Sequence, residues 1–445
     1  MKESMSQSVN SLKTSDAERP EDFKLSEDFS RCFNELEYTR NNVYITGEAG
    51  TGKTTLLKYF RQKTKKSVVV LAPTGIAAIN CFGQTIHSFF HFPAKLIQKE
   101  NIRRVRGGQK IFSKLDILII DEASMMRADI LDGIDEALRL NMGNENEPFG
   151  GVQVALIGDL YQLPPIIDRA SKDIYTQMYR TPYFFSSKIY QQSPFKQMVL
   201  SKIYRQKDSD FTKILNQIRN KKLGMEEMKT LNARANQQGA VEDCITLTPT
   251  NAAAASVNDA CLARLHAETF TYSALIEGEF DESSFPTDPQ LKLKVGAQVL
   301  MLQNDPAKRW VNGSVGEVTR LEEDLVEVKI KDKKHEVETV RWRKIKYEVD
   351  AEQDKITEKD TGGFEQYPMK LAWAITIHKS QGLTFEKVIV DFGPGTFAHG
   401  QAYVALSRCR SLEGLILKRP LQLSDIIFDQ RVAQYHNFLE EDFID

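Results

Sequence analysis

Residues 47–54 read GEAGTGKT, in which three glycines precede a lysine and a hydroxyl residue at a fixed spacing. The segment satisfies G-x-x-x-x-G-K-[ST] and lies between the apolar run VYIT and the helix-like LLKYF. Glycines let the backbone wrap closely around a phosphate, whose oxygens then face the loop N–H groups and the helix N-terminus. A chance glycine-rich turn is the alternative. The pattern predicts a nucleotide phosphate site formed by Gly47, Ala49, Gly50, Thr51, Gly52, Lys53, Thr54 and Thr55.

A pair of acids follows the hydrophobic run LDILII at residues 115–120. Asp121, at the end of this predicted strand, is placed to hold Mg²⁺ together with Thr54. Its neighbour Glu122 could orient and deprotonate an attacking water. The alternative is a charge pair at a helix N-terminus. Because no N-K-x-D guanine signature is present, ATP is favoured over GTP, and the predicted cofactors are ATP and Mg²⁺.

Alternating apolar and helical segments indicate the elements that position these residues. Runs at 43–46, 67–72, 115–121 and 152–158 are typical of buried parallel strands and predict a doubly wound α/β domain. A second α/β region, with runs at 245–249, 371–377, 388–392 and 414–418, is interrupted by alternating segments that favour a small antiparallel barrel. The predicted units are a flexible tail (1–21), a first domain (22–185), a second domain (186–270 and 355–445) and an inserted barrel (271–354).

Composition limits the partners of the chain. Its 445 residues are 41% hydrophobic, and 59 basic residues against 61 acidic ones leave a net charge of −2, so any nucleic-acid surface must be local. Residues 67–94 carry no charged side chain, but they contain Pro73, Gly75 and Gly83, which favours a strand and loop over a membrane span. No membrane partner and a cytoplasmic location are therefore expected.

Further segments occur in an order that identifies a family. They are LAPTGIAA (71–78), GQTIHSFF (83–90), DEASM (121–125), PFGGVQVALIGDLYQLPP (148–165), IYRQ (203–206), TPTN (248–251), VNGSVGEV (311–318), AITIHKSQGLTFEKVIVD (374–391) and YVALSR (403–408). From about residue 41 to 418 the chain resembles the PIF (petite integration frequency) family of superfamily-one DNA helicases, in a minimal, bacterial-type form. The resemblance implies two RecA-like P-loop NTPase domains, with a small SH3-like β-barrel inserted in the second.

The resemblance also implies roles for individual residues. Gln162 would sense the γ-phosphate, Arg205 and Arg408 would reach that phosphate from the second domain, and Gly382 would lie at the nucleotide. The alternative for either arginine is a surface ion pair. Single-stranded DNA would run over Pro73, Thr74, Gly75, Thr85, His87, Ser88, Thr250, Asn251, His378, Lys379 and Ser380. For each of these, the alternative is a helix-capping hydroxyl or a core histidine.

One local basic patch stands out within a small insertion at about 90–110. Six basic residues oppose Glu100 alone, directly after the aromatic cluster Phe89, Phe90 and Phe92. The patch predicts an insertion that meets DNA at the fork, and a solvated loop over core aromatics is the alternative. Its basic residues are Lys95, Lys99, Arg103, Arg104, Arg106 and Lys110.

The resemblance implies an ATP-driven DNA helicase that moves 5′-to-3′ on single-stranded DNA and unwinds duplex or structured DNA. The alternatives are a translocase that does not unwind and an ATP-gated DNA-binding switch. The expected partners are single-stranded, forked or G-quadruplex DNA, in repair, recombination, replication or telomere-type maintenance. The chain is expected to act as a monomer, with a dimer on DNA as the alternative, near the bacterial nucleoid.

Overall fold

A six-stranded parallel sheet forms the first half of the molecule. The computed structural model describes residues 26–441 apart from 106–107, 169–170, 207, 236–243, 351 and 353, so the predicted tail at 1–21 lies outside the described residues. The strands, in the spatial order β3-β2-β4-β5-β1-β6, are β1 (Val43–Gly47), β2 (Val68–Ala72), β3 (Gln84–Thr85), β4 (Ile117–Ile120), β5 (Gln153–Ile157) and β6 (Lys196–Leu200).

Helices cover both faces of this sheet, as its apolar strands require. Val43 and Ile45 pack into one core while Tyr44 packs into the other, because successive side chains of a strand point to opposite faces. All four residues of β4 are buried. The helices are α1 (Glu27–Tyr38), α2 (Lys53–Lys63), α3 (Gly75–Asn80), α4 (Ile86–Phe90), α5 (Gln109–Lys114), α6 (Ala128–Met142), α7 (Lys172–Met178) and α8 (Lys188–Gln192).

The chain then enters a second α/β unit and leaves it for an insertion. The unit opens with α9 (Ser209–Arg219), α10 (Met225–Asn232), β7 (Ile245–Thr248) and α11 (Asn251–Arg264). The insertion is antiparallel, as the alternating segments predict. Its strands are β8 (Phe270–Ser273), β9 (Leu275–Gly278), β10 (Gln290–Leu293), β11 (Gln298–Met301), β12 (Val315–Glu322), β13 (Leu325–Ile330), β14 (Lys333–Val337), β15 (Val340–Asp350), β16 (Lys355–Gln366) and β17 (Met369–Leu371).

Two larger sheets and one strand pair make up this insertion. Five strands lie in the order β14-β13-β12-β11-β17 around their own apolar core, and β10 pairs with β8. The long hairpin of β15 and β16 forms a separate sheet with β9. The SH3-like form of the insertion stays a prediction.

After the insertion the chain completes the second sheet. Its four strands are parallel and lie in the order β18-β7-β19-β20, with β18 (Ala374–Thr376), β19 (Val388–Val390) and β20 (Leu415–Leu417). Helix α12 (Gln401–Leu406) lies between β19 and β20, and α13 (Gln430–Glu441) follows β20. In α13, Val432 packs into a core of the first domain, so the end of the second domain reaches back over the first.

Two of the domain boundaries predicted from the sequence differ from those in the structure. Strand β6 pairs with β1 along its whole length, so the first sheet extends beyond residue 185. The boundary at 354 cuts through the turn of the β15–β16 hairpin, whose pairing runs from Val340↔Gln366 to Asp350↔Lys355. The insertion therefore continues to about β17. Among the described residues, no helix is both long and apolar enough to cross a membrane.

Candidate nucleotide and DNA sites

The phosphate loop connects β1 to α2, as the sequence predicts. Gly50 and Gly52 have φ values of 88° and 90°, a region that residues with a Cβ atom rarely adopt. Lys53 opens α2, and its Nζ donates to the carbonyl oxygens of Gly47 (2.8 Å) and Glu48 (2.9 Å). Thr54 and Thr55 are exposed on the first turn of α2, whereas Thr51 is buried. The loop thus presents a helix N-terminus and a lysine on one surface.

The acid pair lies at the carboxyl end of the neighbouring strand β4. The Asp121 N–H donates to Leu71 O, and its carboxylate accepts from the N–H of Glu122, which has a φ of 51°. Burial and the adjacent Glu122 raise the pKa of Asp121 to about 7. Burial also raises the pKa of Glu122, against the positive charges of Lys53 and Arg408. A buried acid pair of this kind favours a cation beside it.

Arg205 lies on the connection between the two domains, not in the body of the second domain as the sequence-based boundary implied. The N–H of its neighbour Tyr204 donates to Gly50 O (2.9 Å), and a Cβ at Gly50 would collide with Arg205. Its Nη2 donates to Gly382 O (3.4 Å), while its Nη1 is buried without a hydrogen-bond partner among the described residues. Arg205 therefore touches the phosphate loop on one side and the second domain on the other.

Arg408 follows α12 and is 1% exposed. Its guanidinium donates to Val404 O (2.8 Å) and to Ser407 Oγ (2.9 Å), both neutral acceptors. Burial, reinforced by the nearby charge of Arg205, lowers the pKa of Arg408 to about 9. Within the described part of the chain, neither arginine pairs with a carboxylate, which argues against the surface ion-pair alternative.

Helix α12 also brings the second domain against the phosphate loop. The phenolic oxygen of Tyr403 accepts the N–H of Ala49 at 3.1 Å. Gly400, the N-cap residue of α12, has a φ of 71°, and a Cβ there would collide with the carbonyl oxygens of Tyr161 and Gln162. The cleft between the domains is therefore closed around Gln162, which is 8% exposed.

These residues fit a magnesium nucleotide. Arg205 Nη1 is buried without a hydrogen-bond partner among the described residues, and it lies beside the phosphate loop, so an anion there would complete it. No cluster of three or more His, Cys, Asp or Glu side chains able to hold a metal occurs in the described ranges. A Mg²⁺ ion would therefore be held by Asp121 and Thr54 together with phosphate oxygens, which is the usual mode for this ion.

In the first domain, the predicted DNA residues lie where β2 and β3 end. Pro73 and Thr74 lead into α3, with Gly75 as its first residue, and Thr74 and Thr85 accept N–H groups of Ala77 and Ser88. Both threonines are thus capping hydroxyls. His87 and Ser88 lie on α4, and Ser88 accepts a hydrogen bond from Gln84 (2.8 Å).

In the second domain, the predicted DNA residues lie at equivalent strand ends. Thr250 caps α11 and is exposed, as is Asn251. His378 is half-buried and Lys379 is exposed, on a single turn after β18. Ser380 is completely buried, and its hydroxyl donates to Ile377 O (2.7 Å), so the structure turns it away from the exposed surface on which the sequence placed it.

The β15–β16 hairpin of the insertion contacts the first domain beside the predicted DNA residues of α4. The Tyr347 hydroxyl accepts the N–H of Val70 (3.1 Å), and Arg61 pairs with Glu358. A cavity of about 340 Å³ opens between α4 and the hairpin, lined by His87 and Ser88 on one side and by Lys344 and Lys346 on the other.

The basic insertion rests on α6. Ile97 and Ile102 are buried, and a Cβ at Gly133 of α6 would collide with Ile97. Arg103 and Arg104 are exposed. Arg106 lies outside the described residues. Phe89, Phe90 and Phe92 are core residues beneath the insertion, as the alternative interpretation supposed.

Comparison with known proteins identifies the family. The family model described as PIF1-like helicase matches residues 24–229, and the model described as the 2B domain of the DNA helicase Pif1 matches 280–321. The ATP-dependent DNA helicase Pif1 of Bdellovibrio bacteriovorus is 32% identical over 409 residues, which are 90% of this chain and 89% of that relative. The chain belongs to the PIF1-like helicase family. The human ATP-dependent DNA helicase PIF1 is 33% identical over 84% of this chain and 58% of its own length.

Solved structures of PIF1-like helicases have the same fold, with two RecA-like domains. Bacteroides Pif1 in complex with ADP-AlF4 is 37% identical, with a TM-score of 0.88 over 95% of this chain and 98% of that one. The TM-score with unliganded Bacteroides Pif1 is 0.87. With Bacteroides Pif1 bound to ssDNA, which is 38% identical over the same coverage, the TM-score is 0.70. Membership in this helicase family implies ATP hydrolysis.

The structure adds site residues that the sequence did not single out. Tyr403 and Gly400 contact the first domain, and Asp159 and Arg219 form a buried pair beside Gln162. Phe397 is 60% exposed, and its ring stacks on His378. Tyr403 and Asp159 lie inside the quoted motifs YVALSR and GDLYQLPP, so these motifs carried the signal for two of them.

Proposed function

We propose that this chain is an ATP-driven DNA helicase that moves 5′-to-3′ along single-stranded DNA and opens duplex DNA. One observation carries the ATP site: among the described residues, neither the half-buried Arg205 nor the buried Arg408 has a carboxylate partner, and Arg205 Nη1 has no hydrogen-bond partner at all. Arg205 lies where the second domain meets the phosphate loop, and the charge of Arg408 acts on Glu122 from the second domain. The site would be complete only when the cleft between the two domains is closed. Hydrolysis would then depend on the relative position of the domains, as a motor requires.

The chemistry follows from the arrangement of charges. Mg²⁺, when bound, neutralises phosphate oxygens and orients the nucleotide. Lys53 and the loop N–H groups hold the β- and γ-phosphates. Glu122 accepts a proton from the attacking water, a role favoured by its raised pKa. Gln162 contacts the γ-phosphate, and Arg205 and Arg408 stabilise the charge that develops on the transferred group.

Exposed polar residues at the ends of the parallel strands support the proposal that single-stranded DNA binds there. Thr74, Thr250, Asn251 and Lys379 are exposed there, and hydroxyl and amide groups bind phosphate without selecting a sequence. The relatives that resemble this chain include Bacteroides Pif1 bound to ssDNA and two coordinating Pif1 helicases at forked dsDNA. We extend single-stranded and forked DNA to this chain as substrates. In this proposal one molecule acts on single-stranded DNA, and two molecules act together on forked DNA.

The lower similarity to the ssDNA-bound relative supports a movement of the insertion. Identity (37% and 38%) and coverage are almost equal for the unliganded and the ssDNA-bound relative, so the lower TM-score supports a different conformation of the ssDNA-bound one. Our proposal is that the docked hairpin belongs to a DNA-free state and that binding of DNA releases it. Action on G-quadruplex DNA, in genome maintenance at the cytoplasmic nucleoid of a bacterium, is part of the same proposal.

Substitutions in the phosphate and acid residues test the site. Lys53→Ala is expected to abolish ATP turnover while single-stranded DNA still binds, because Lys53 lies in the phosphate loop and not among the proposed DNA residues. Glu122→Gln is expected to bind ATP but not hydrolyse it. Arg408→Ala is expected to lower turnover by about 10³–10⁵, with a smaller effect on ATP affinity. Wild-type turnover in Lys53→Ala would refute the assignment of the site.

Fork unwinding separates the proposal from its alternatives. A helicase opens a forked duplex while ATP turnover rises with added single strand. A translocase shows the same stimulation without opening the duplex. An ATP-gated switch hydrolyses slowly with or without DNA, and this result would contradict any motor function.

A further inference from the structure

A buried ion pair joins the two RecA-like domains beside the ATP cleft. Asp159 follows β5 in the first domain, and Arg219 ends α9, which packs into the core of the second domain. Arg219 Nη2 lies 3.2 Å from Asp159 Oδ1, with the aspartate side chain fully buried and the arginine side chain 14% exposed. The pair therefore forms only when the two domains are in contact.

The surroundings fix the geometry of this pair. The guanidinium carbon of Arg219 lies 3.8 Å from the ring centre of Tyr161, so the arginine is held over an aromatic face of the first domain. Asp159 Oδ1 also accepts the N–H of Tyr161 at 3.1 Å. Removing one partner would leave a buried charge without its counter-charge.

The other oxygen of the same carboxylate holds Gln162. Gln162 Nε2 donates to Asp159 Oδ2 at 3.1 Å, and the Gln162 N–H donates to Asp159 O at 2.9 Å. A single buried carboxylate thus links the arginine of the second domain to the amide of the glutamine. The path from Arg219 to the Gln162 side chain therefore consists of two contacts, both made by the Asp159 carboxylate.

We infer that Arg219 is a positioning residue for ATP hydrolysis, which fixes the Gln162 side chain through Asp159 when the domains close. The inference rests on the proposed role of Gln162 at the γ-phosphate. Arg219 itself reaches no nucleotide in this assignment. Its loss should therefore affect the chemical step more than the binding of ATP.

A double-mutant cycle tests this inference. At saturating single-stranded DNA, Arg219→Gln is expected to lower kcat by about tenfold and to change the KM for ATP by less than about threefold. In a Gln162→Ala background, the same substitution is expected to change kcat by less than about twofold, because the group that it positions is gone. An equal loss in both backgrounds would overturn the inference and leave Arg219 a purely structural residue.

Two further variants keep the result decisive. Arg219→Lys keeps the charge, so its kcat is expected to lie between those of Arg219→Gln and the unchanged chain. If Arg219→Gln does not fold, the same cycle is run with Arg219→Lys, and its loss of kcat should again disappear in the Gln162→Ala background. Arg419→Gln is the matched control, because Arg419 also pairs with a buried carboxylate, that of Asp425, and the hydrogen bonds of its guanidinium within the described part of the chain all lie within residues 393–425 of the second domain. It should lose stability without a change in kcat. Absence of turnover in the wild-type chain would instead refute the proposed function, so the two failures are distinguishable.

Discussion

The exposed ring of Phe397 shows what a single residue can contribute to a nonspecific track. It is 60% exposed and lies parallel to the His378 ring, with centroids 6.4 Å apart and an interplanar angle of 15°. An aromatic face binds any base, because every base has a π-face. The pair would supply stacking next to phosphate contacts from Lys379.

Phe397→Ala is therefore expected to weaken binding of single-stranded DNA by about 1–3 kcal/mol. Fluorescence anisotropy with a labelled oligonucleotide measures this loss. Phe82→Ala is the matched control, because Phe82 is similarly exposed (58%) but contacts Lys58 on the first domain. Equal losses in both variants would mean that exposed apolar area, not stacking beside His378, accounts for the effect.

At the scale of elements, the basic insertion combines a buried and an exposed side. Ile97 and Ile102 of the insertion are buried in the core that also contains α6, which holds the segment in place. Arg103 and Arg104 remain exposed. An obstacle at a fork needs this rigidity, since each opened base-pair step costs about 1.4 kcal/mol of stacking. The insertion fits this task if it lies at the junction.

Changing Arg103 and Arg104 together to Ala is expected to reduce the base pairs opened per ATP hydrolysed. ATP turnover stimulated by single-stranded DNA should change little, because the cleft is untouched, and the salt dependence of fork binding should become shallower. Lys221 and Lys222, an exposed basic pair on the second domain, provide the control substitution. An unchanged ratio at saturating DNA would mean that the insertion is only a solvated loop.

At the scale of the whole molecule, the β15–β16 hairpin holds the insertion against the first domain. Ile345 and Tyr347 enter the first-domain core, and the Tyr347 hydroxyl bonds to the backbone of Val70. A contact present only in the DNA-free arrangement opposes DNA binding by the free energy that it contributes. The docked hairpin would thus set part of the affinity for DNA.

Tyr347→Phe removes one hydrogen bond and keeps the ring, so it is expected to tighten binding of single-stranded DNA by about two- to tenfold. Hydrogen exchange should also show faster exchange in Val340–Asp350 once DNA is added. Tyr183→Phe, which removes a hydroxyl bonded to Asp429 elsewhere, serves as the control. Weaker DNA binding in Tyr347→Phe would contradict a restraining role.

The sequence alone determined the parts of this protein that depend on neighbouring residues. The phosphate loop, the acid pair and most strands of both parallel sheets lie where the sequence predicts, because each is a short run whose pattern or apolar character is local. The role of Arg408 at the nucleotide, which the motifs imply, stays a prediction. The second domain's strands flank an antiparallel insertion, as the change in periodicity predicted.

Only the tertiary structure decided features that depend on partners distant in the chain. Strand β6 joins the first sheet because it pairs with β1, some 150 residues earlier, and the polar β16 is a strand because β15 pairs with it. Ser380 turns inward to bond Ile377, a choice that its motif did not reveal. The Asp159–Arg219 pair exists only because closure of the domains buries both charges together, and no local pattern encodes that contact.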